Sequence, residues 1–120
     1  MTAPRIHHVQ IAIPAGGEAE GRRFYGALLG LVEVEKPPAL RQRGGVWFEA
    51  GGQQLHLGVD PVFRPAKKAH VAFQIGDLPQ RRAQLIAQGY MVVDDSELAG
   101  YRRCYVSDPF GNRVELLEPL

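Results

Sequence analysis

The sequence predicts an α+β fold made of two tandem β-α-β-β-β modules, and three observations point there. Several short runs alternate apolar with polar residues, two segments carry apolar residues at helical spacing and close on glycine, and the whole pattern restarts near residue 70. Equivalent positions also keep a near-constant separation. His8 and His70 are 62 residues apart, Gly30 and Gly89 59, Phe48 and Val106 58, and His56 and Glu115 59. So small a drift marks a duplication.

In the first module, Ile6 to Ile13 reads as a strand, with Val9, Ile11 and Ile13 on one face and His8, Gln10 and Ala12 on the other. Pro14 to Gly17 ends it. Glu18 to Leu29 reads as a helix burying Phe24, Tyr25, Leu28 and Leu29, with Arg22 and Arg23 on its wet side and Gly30 as its stop. Leu31 to Val34 is a short strand. Two prolines keep the basic loop Lys36 to Gly45 out of regular structure. Val46 to Glu49 and Gln53 to Val59 then pair through a Gly51-Gly52 turn.

Asp60 to Lys68 has charges and prolines without periodicity and reads as a surface linker. The second module repeats the first. Its elements are a strand at His70 to Ile75, a helix at Pro79 to Gln88 burying Leu85 and Ile86, Gly89, and a short strand at Tyr90 to Val93. A hairpin of Arg102 to Val106 and Arg113 to Leu117 follows, turned by Asp108 to Asn112. The modules span about 5–60 and 68–120 of a single domain, each with one helix over the apolar face of a mostly antiparallel sheet. The other face is left for chemistry.

Composition excludes several functions. Fourteen Lys+Arg against thirteen Asp+Glu leave a formal net charge of +1, far from the basic excess that nucleic-acid binding needs. No apolar run approaches a membrane span. A single cysteine, Cys104, cannot close an intramolecular disulfide and sits among alternating apolar residues, which fits a buried small hydrophobe in a reducing, cytoplasmic setting. A chain this short leaves about a third of its unfolded surface exposed, so a second subunit would usefully cover more.

The chemistry-bearing residues gather on one strand face. His8 and Gln10, His70 and Gln74, Gln54 and His56, and Glu115 all oppose the apolar sets of their strands. Imidazole with carboxylate suits a first-row divalent cation such as Zn, Ni, Fe, Mn or Co. His7 points the other way and has no counterpart in the repeat. Tyr101, Arg102 and Arg103, in the loop entering the last hairpin, are candidates for contacting an anionic group. Arg41 and Arg43 are candidates for a mobile rim. Trp47 and Phe48 alternate, with Phe48 assigned to the core and Trp47 to the cavity.

The segments HVQIAI, FYGALLGL, QLHLGV, AHVAFQI and DPFGNRVELLEP together resemble the vicinal oxygen chelate superfamily of glyoxalases, bleomycin-resistance proteins and extradiol dioxygenases, over essentially the whole chain. The resemblance implies a half-barrel sheet with helices on its outer face. It also implies metal ligands at His8, His56, His70 and Glu115. In fosfomycin-resistance transferases and extradiol dioxygenases the ligand positions correspond to His8, His70 and Glu115 alone. His56 stands where glyoxalase I has a glutamate, which argues against methylglyoxal isomerisation. The implied function is a metal-dependent lyase, isomerase or transferase that chelates two adjacent oxygens of a small metabolite or xenobiotic through a metal-stabilised oxyanion. In it Glu115 and His56 would handle protons, and Trp47, Tyr101 and Arg103 would contact substrate. The alternatives are a metal-free drug-binding protein of the bleomycin-resistance type and an Fe(II) extradiol dioxygenase. A homodimer with its site at or near the subunit interface is expected, with no nucleic-acid or membrane partner.

Overall fold

In the computed structural model, which describes all 120 residues, the first alternating run forms strand β1 (His8–Ile13). A helix follows that is α-helical at first, α1 (Glu18–Gly21), and then π-helical over Arg22–Leu28. Strand β2 (Val32–Val34), a 3-10 turn (Pro38–Arg43), β3 (Val46–Ala50) and β4 (Gln53–Val59) complete the first half. The second half runs β5 (Val71–Gln74), α2 (Leu78–Ala87), β6 (Val92–Asp95), β7 (Tyr101–Ser107) and β8 (Arg113–Pro119). The chain divides into two compact units, Met1–Arg64 and Pro65–Leu120.

Each unit is one four-stranded mixed sheet, ordered β1-β4-β3-β2 in the first and β5-β8-β7-β6 in the second. The outer strand of each, β1 or β5, pairs parallel to the last strand of its unit, and the other neighbours are antiparallel. The duplication extends to side chains. Arg22 reaches Glu33 at 2.9 Å from helix to edge strand in the first unit, and Arg82 grips Asp94 through two bonds of 2.8 Å in the equivalent place of the second.

Packing explains the helix of the first unit. Phe24 and Tyr25 are adjacent and both fully buried. The wider π-turn, seen in the bond from Leu29 N to Phe24 O at 2.9 Å, narrows the angle between neighbours and lets both rings face the sheet. Gly21 brings the backbone close enough that an added Cβ would lie 2.6 Å from Leu57 Cδ1. Ile13, Val46, Phe48, Leu55 and Leu57 fill the rest of this core. In the second unit Leu78, Leu85, Cys104, Val106, Val114 and Leu116 do the same.

Four expectations need correction. Pro38–Arg43 is helical rather than irregular, because proline fits the first turn of a helix, whose N–H groups lack intrahelical partners anyway. Helix α2 begins at Leu78 and buries Leu78 and Leu85, leaving Ile86 46% exposed. Its start is set by Glu118, whose Oε2 accepts from Leu78 N at 3.0 Å. Tyr101, Arg102 and Arg103 lie on β7 itself, since β7 and β8 pair from Tyr101↔Pro119 onward. His70 falls one residue before β5.

The DPFGN turn is a structural lock. Asp108 Oδ1 accepts from Phe110 N and Asn112 N at 2.9 and 2.8 Å, and Asn112 Oδ1 accepts from Ala66 N at 2.9 Å. Together with the bond from Arg113 N to Ala66 O, it ties down the segment that leads to His70. Burial pushes the Cys104 thiol up to about 11. Native protein should therefore resist maleimide labelling at neutral pH and react only when unfolded, as mass spectrometry of labelled samples would read.

Candidate functional site

The four candidate ligands come together as two pairs, one in each unit. In the first, His56 is 5% exposed on the inner strand β4 and lies opposite Gln10 on one side and Trp47 on the other. Its ring stacks on Trp47 with centroids 3.8 Å apart and planes within 1°, and on His8 at 4.3 Å and 19°. His56 Nε2 donates to Gln54 Oε1 at 2.9 Å, so a neutral ring keeps its lone pair on Nδ1. His8 Nδ1 lies 3.0 Å from His7 Nδ1.

The second pair is tighter. His70 Nδ1 donates to the Lys68 carbonyl at 2.8 Å, and His70 Nε2 lies 2.9 Å from Glu115 Oε1. A carbonyl only accepts, so Nδ1 carries a proton, and Nε2 is turned to the carboxylate. Glu115 has a side chain only 6% exposed, and its Oε2 accepts from Arg103 Nη1 at 3.4 Å. Arg103 also contacts Asp95 at 3.4 Å, while its Nε is buried without a partner. Tyr105, opposite Glu115 on β7, meets His70 edge-on at 5.6 Å and carries Arg113 on its face at 3.8 Å.

The remaining candidates separate. Trp47 lines a cavity of about 250 Å³ in the first unit with His8, Lys36, Leu40, Arg43 and His56. Phe48 is in the core at 1% exposure. Arg41 is turned to Glu35 at 3.8 Å. Tyr101 borders a different space of about 570 Å³ in the second unit, beside Leu78, Leu98 and Leu120. Arg102 donates to Glu118 at 2.8 Å on the opposite strand face from Arg103. No group of three or more His, Cys, Asp or Glu side chains that could hold a metal ion is present.

Lys36 and Tyr105 were not singled out from sequence. Tyr105 had a legible signal: it follows Trp47 at 58 residues, the separation of Phe48 and Val106.

The model of the glyoxalase-like domain matches residues 10–117. The chain belongs to that family. A putative glyoxalase family protein from Bacillus anthracis is 46% identical over 100% of this glyoxalase-like chain and 98% of its own, with a TM-score of 0.93. More distant solved structures share the fold. The fosfomycin resistance protein FosX from Listeria monocytogenes is 15% identical, covering 99% of this chain and 96% of its own, at a TM-score of 0.79. Lactoylglutathione lyase from Agrobacterium tumefaciens is 22% identical over 98% and 96%, at 0.74. None of the curated proteins compared with it matches. No helix of this glyoxalase-like protein is long and apolar enough to cross a membrane.

His56 also sets a pH dependence for the glyoxalase-like fold. Its pKa is lowered from the ordinary 6.5, first by burial and then by the positive charges of His8, His7 and Lys36. The unfolded chain therefore binds this proton more readily, and the stability is present above about pH 6.5 and lost as pH falls through and below it. Replacing His56 with Gln should flatten the acid side of the stability profile of metal-free protein, measured by urea melts from pH 7.5 to 5. An unchanged slope would place the acid sensitivity elsewhere.

Proposed function

We propose that this glyoxalase-like protein is a divalent-metal-dependent enzyme acting on a small oxygenated metabolite or xenobiotic, with His8, His56, His70 and Glu115 as its donors. The observation that carries this reading is the His70–Glu115 pair. An imidazole anchored through Nδ1 to a backbone carbonyl, with Nε2 beside a carboxylate oxygen, is the arrangement that pre-orients a ligand pair for a first-row cation. Three imidazoles and one carboxylate match the donor preference of Zn, Ni, Fe, Mn or Co. A bound cation would supply Lewis acidity toward two adjacent substrate oxygens.

The chain's own residues have separable tasks in this reading. Arg103 holds the Glu115 carboxylate in place. Glu115 turns its other oxygen to His70 Nε2, which places the two donors side by side. His56, whose lowered proton affinity leaves it neutral near pH 7, offers its Nδ1 lone pair either to the cation or, where His8, His70 and Glu115 alone hold the cation, to a proton. Because an imidazole and not a carboxylate occupies this position, the chemistry differs from that of glyoxalase I proper.

Native mass spectrometry of protein purified without chelator tests the reading, since it reports metal and subunit count together. The expected result is a homodimer carrying one metal per chain. Metal-free protein whose mass and activity do not respond to Ni, Mn, Fe or Zn would support the drug-binding alternative. Oxygen consumption with a catechol after Fe(II) loading would favour the dioxygenase reading.

A further inference from the structure

The cavity of the first unit has an uneven charge. Lys36 and Arg43 border it, with His8 and His56 as the other ionisable groups, and no carboxylate takes part in its lining. The Lys36 ammonium donates to the Gly44 carbonyl, which fixes its position without neutralising it. Arg43 ends the 3-10 turn Pro38–Arg43, is exposed, and has no hydrogen bond or ion pair. Its neighbour Arg41, by contrast, is turned to Glu35 and the Lys36 carbonyl. Leu40 and the coplanar Trp47–His56 stack supply apolar and aromatic surface to the same lining.

A cavity lined by both cationic and aromatic groups selects for charge and shape at once. A guanidinium with free N–H groups binds a carboxylate through two parallel bonds, and the ring wall accepts a planar or apolar body by stacking. The volume of about 250 Å³ lies just below the range usual for small-molecule sites, which limits the occupant to a small molecule. We infer that the first unit binds a small organic carboxylate, with the anionic group on Arg43 and Lys36 and the body against Trp47 and Leu40. This deepens the proposed function by naming its substrate class, and rests on that reading only for the claim that the bound acid is turned over.

Trp47 is the single tryptophan of the chain, so its fluorescence reports this wall directly. Protein stripped of metal with EDTA is titrated with benzoate, benzamide and benzylamine at fixed ionic strength. Benzoate should change the emission saturably, while the neutral amide and the cationic amine should not. Arg43→Ala should raise the benzoate Kd about ten- to a hundredfold, the range expected for one charge-assisted hydrogen-bonded contact. Arg41→Ala should leave it unchanged. Equal binding of benzamide and benzoate, or an Arg43→Ala variant with the parent's affinity, overturns the inference. Because no metal is present in this titration, its failure leaves the metal reading standing. Absence of metal from native protein, conversely, leaves benzoate binding intact.

Discussion

Glu115→Gln is expected to remove stoichiometric metal binding while leaving the fold intact. Glu115 sits at the middle of β8 between Ala72 and Tyr105, with one carboxylate oxygen on His70 and the other on Arg103. Glutamine keeps the volume and one oxygen acceptor but removes the negative charge that a divalent cation requires of its hard donor. Loss of a partner that only orients a ligand costs ten- to a hundredfold in metal affinity, so loss of the ligand itself should cost on the order of a hundredfold or more, about 2.7 kcal/mol. Metal-free stability should move little. Arg103 keeps its contact with Asp95, and the amide oxygen remains as its acceptor, so no buried charge is left unpaired. Elemental analysis beside a circular-dichroism melt separates the two effects. A variant that melts like the parent and still carries one metal per chain would show that Glu115 is no ligand.

The fold was legible because its two governing signals are local. Alternation and helical spacing were each read from runs of four to twelve residues, and Gly30 and Gly89 both adopt the positive φ that ends a helix on glycine. The constant register of the repeat then required both halves to share one topology, and they have the same strand order. What could not be read depends on packing across elements. Nothing in RRFYGAL distinguishes a π-turn from an α-turn until Phe24 and Tyr25 must both reach the sheet. Ile86 looks as apolar as Leu85, and only the cap from Glu118, forty residues away, decides which of them faces inward.

The site was legible in a narrower sense. Sequence reasoning identified the polar strand face and its occupants, and separated Trp47 from Phe48. It did not reveal that His56 is clasped between two rings, nor that Arg103 bonds Glu115, because both are cross-strand relations set by register. Charge was the other blind spot. Four arginines and a lysine crowd the loops and the β7 start, yet Arg41 and Arg102 are spent on Glu35 and Glu118 while Arg43 is free. Only the partners distinguish them.

Gly45→Ala should be the most damaging single substitution of a loop residue. Gly45 has φ of +85°, and an added Cβ would lie 2.1 Å from the Leu57 carbonyl oxygen. That oxygen belongs to β4, whose Leu57 is held against Val46 on one side and Ile11 on the other, so it has little room to yield. The left-handed backbone costs about 1–2 kcal/mol for a residue with a side chain, and the clash adds roughly 1–3 kcal/mol of overpacking. The sum, about 2–5 kcal/mol, is a large share of the ~5–15 kcal/mol that holds a typical domain. Gly51→Ala separates the two contributions. Its φ is +57° but its Cβ would meet nothing within 4 Å, so it should show the backbone cost alone. Urea melts of both variants should therefore differ by the steric part, at unchanged m. Gly45 also lies between Arg43 and Trp47, which border the same cavity. Relief of the clash must displace one of them, so Gly45→Ala should alter Trp47 emission and weaken benzoate binding, while Gly51→Ala, at the far end of β3, should do neither.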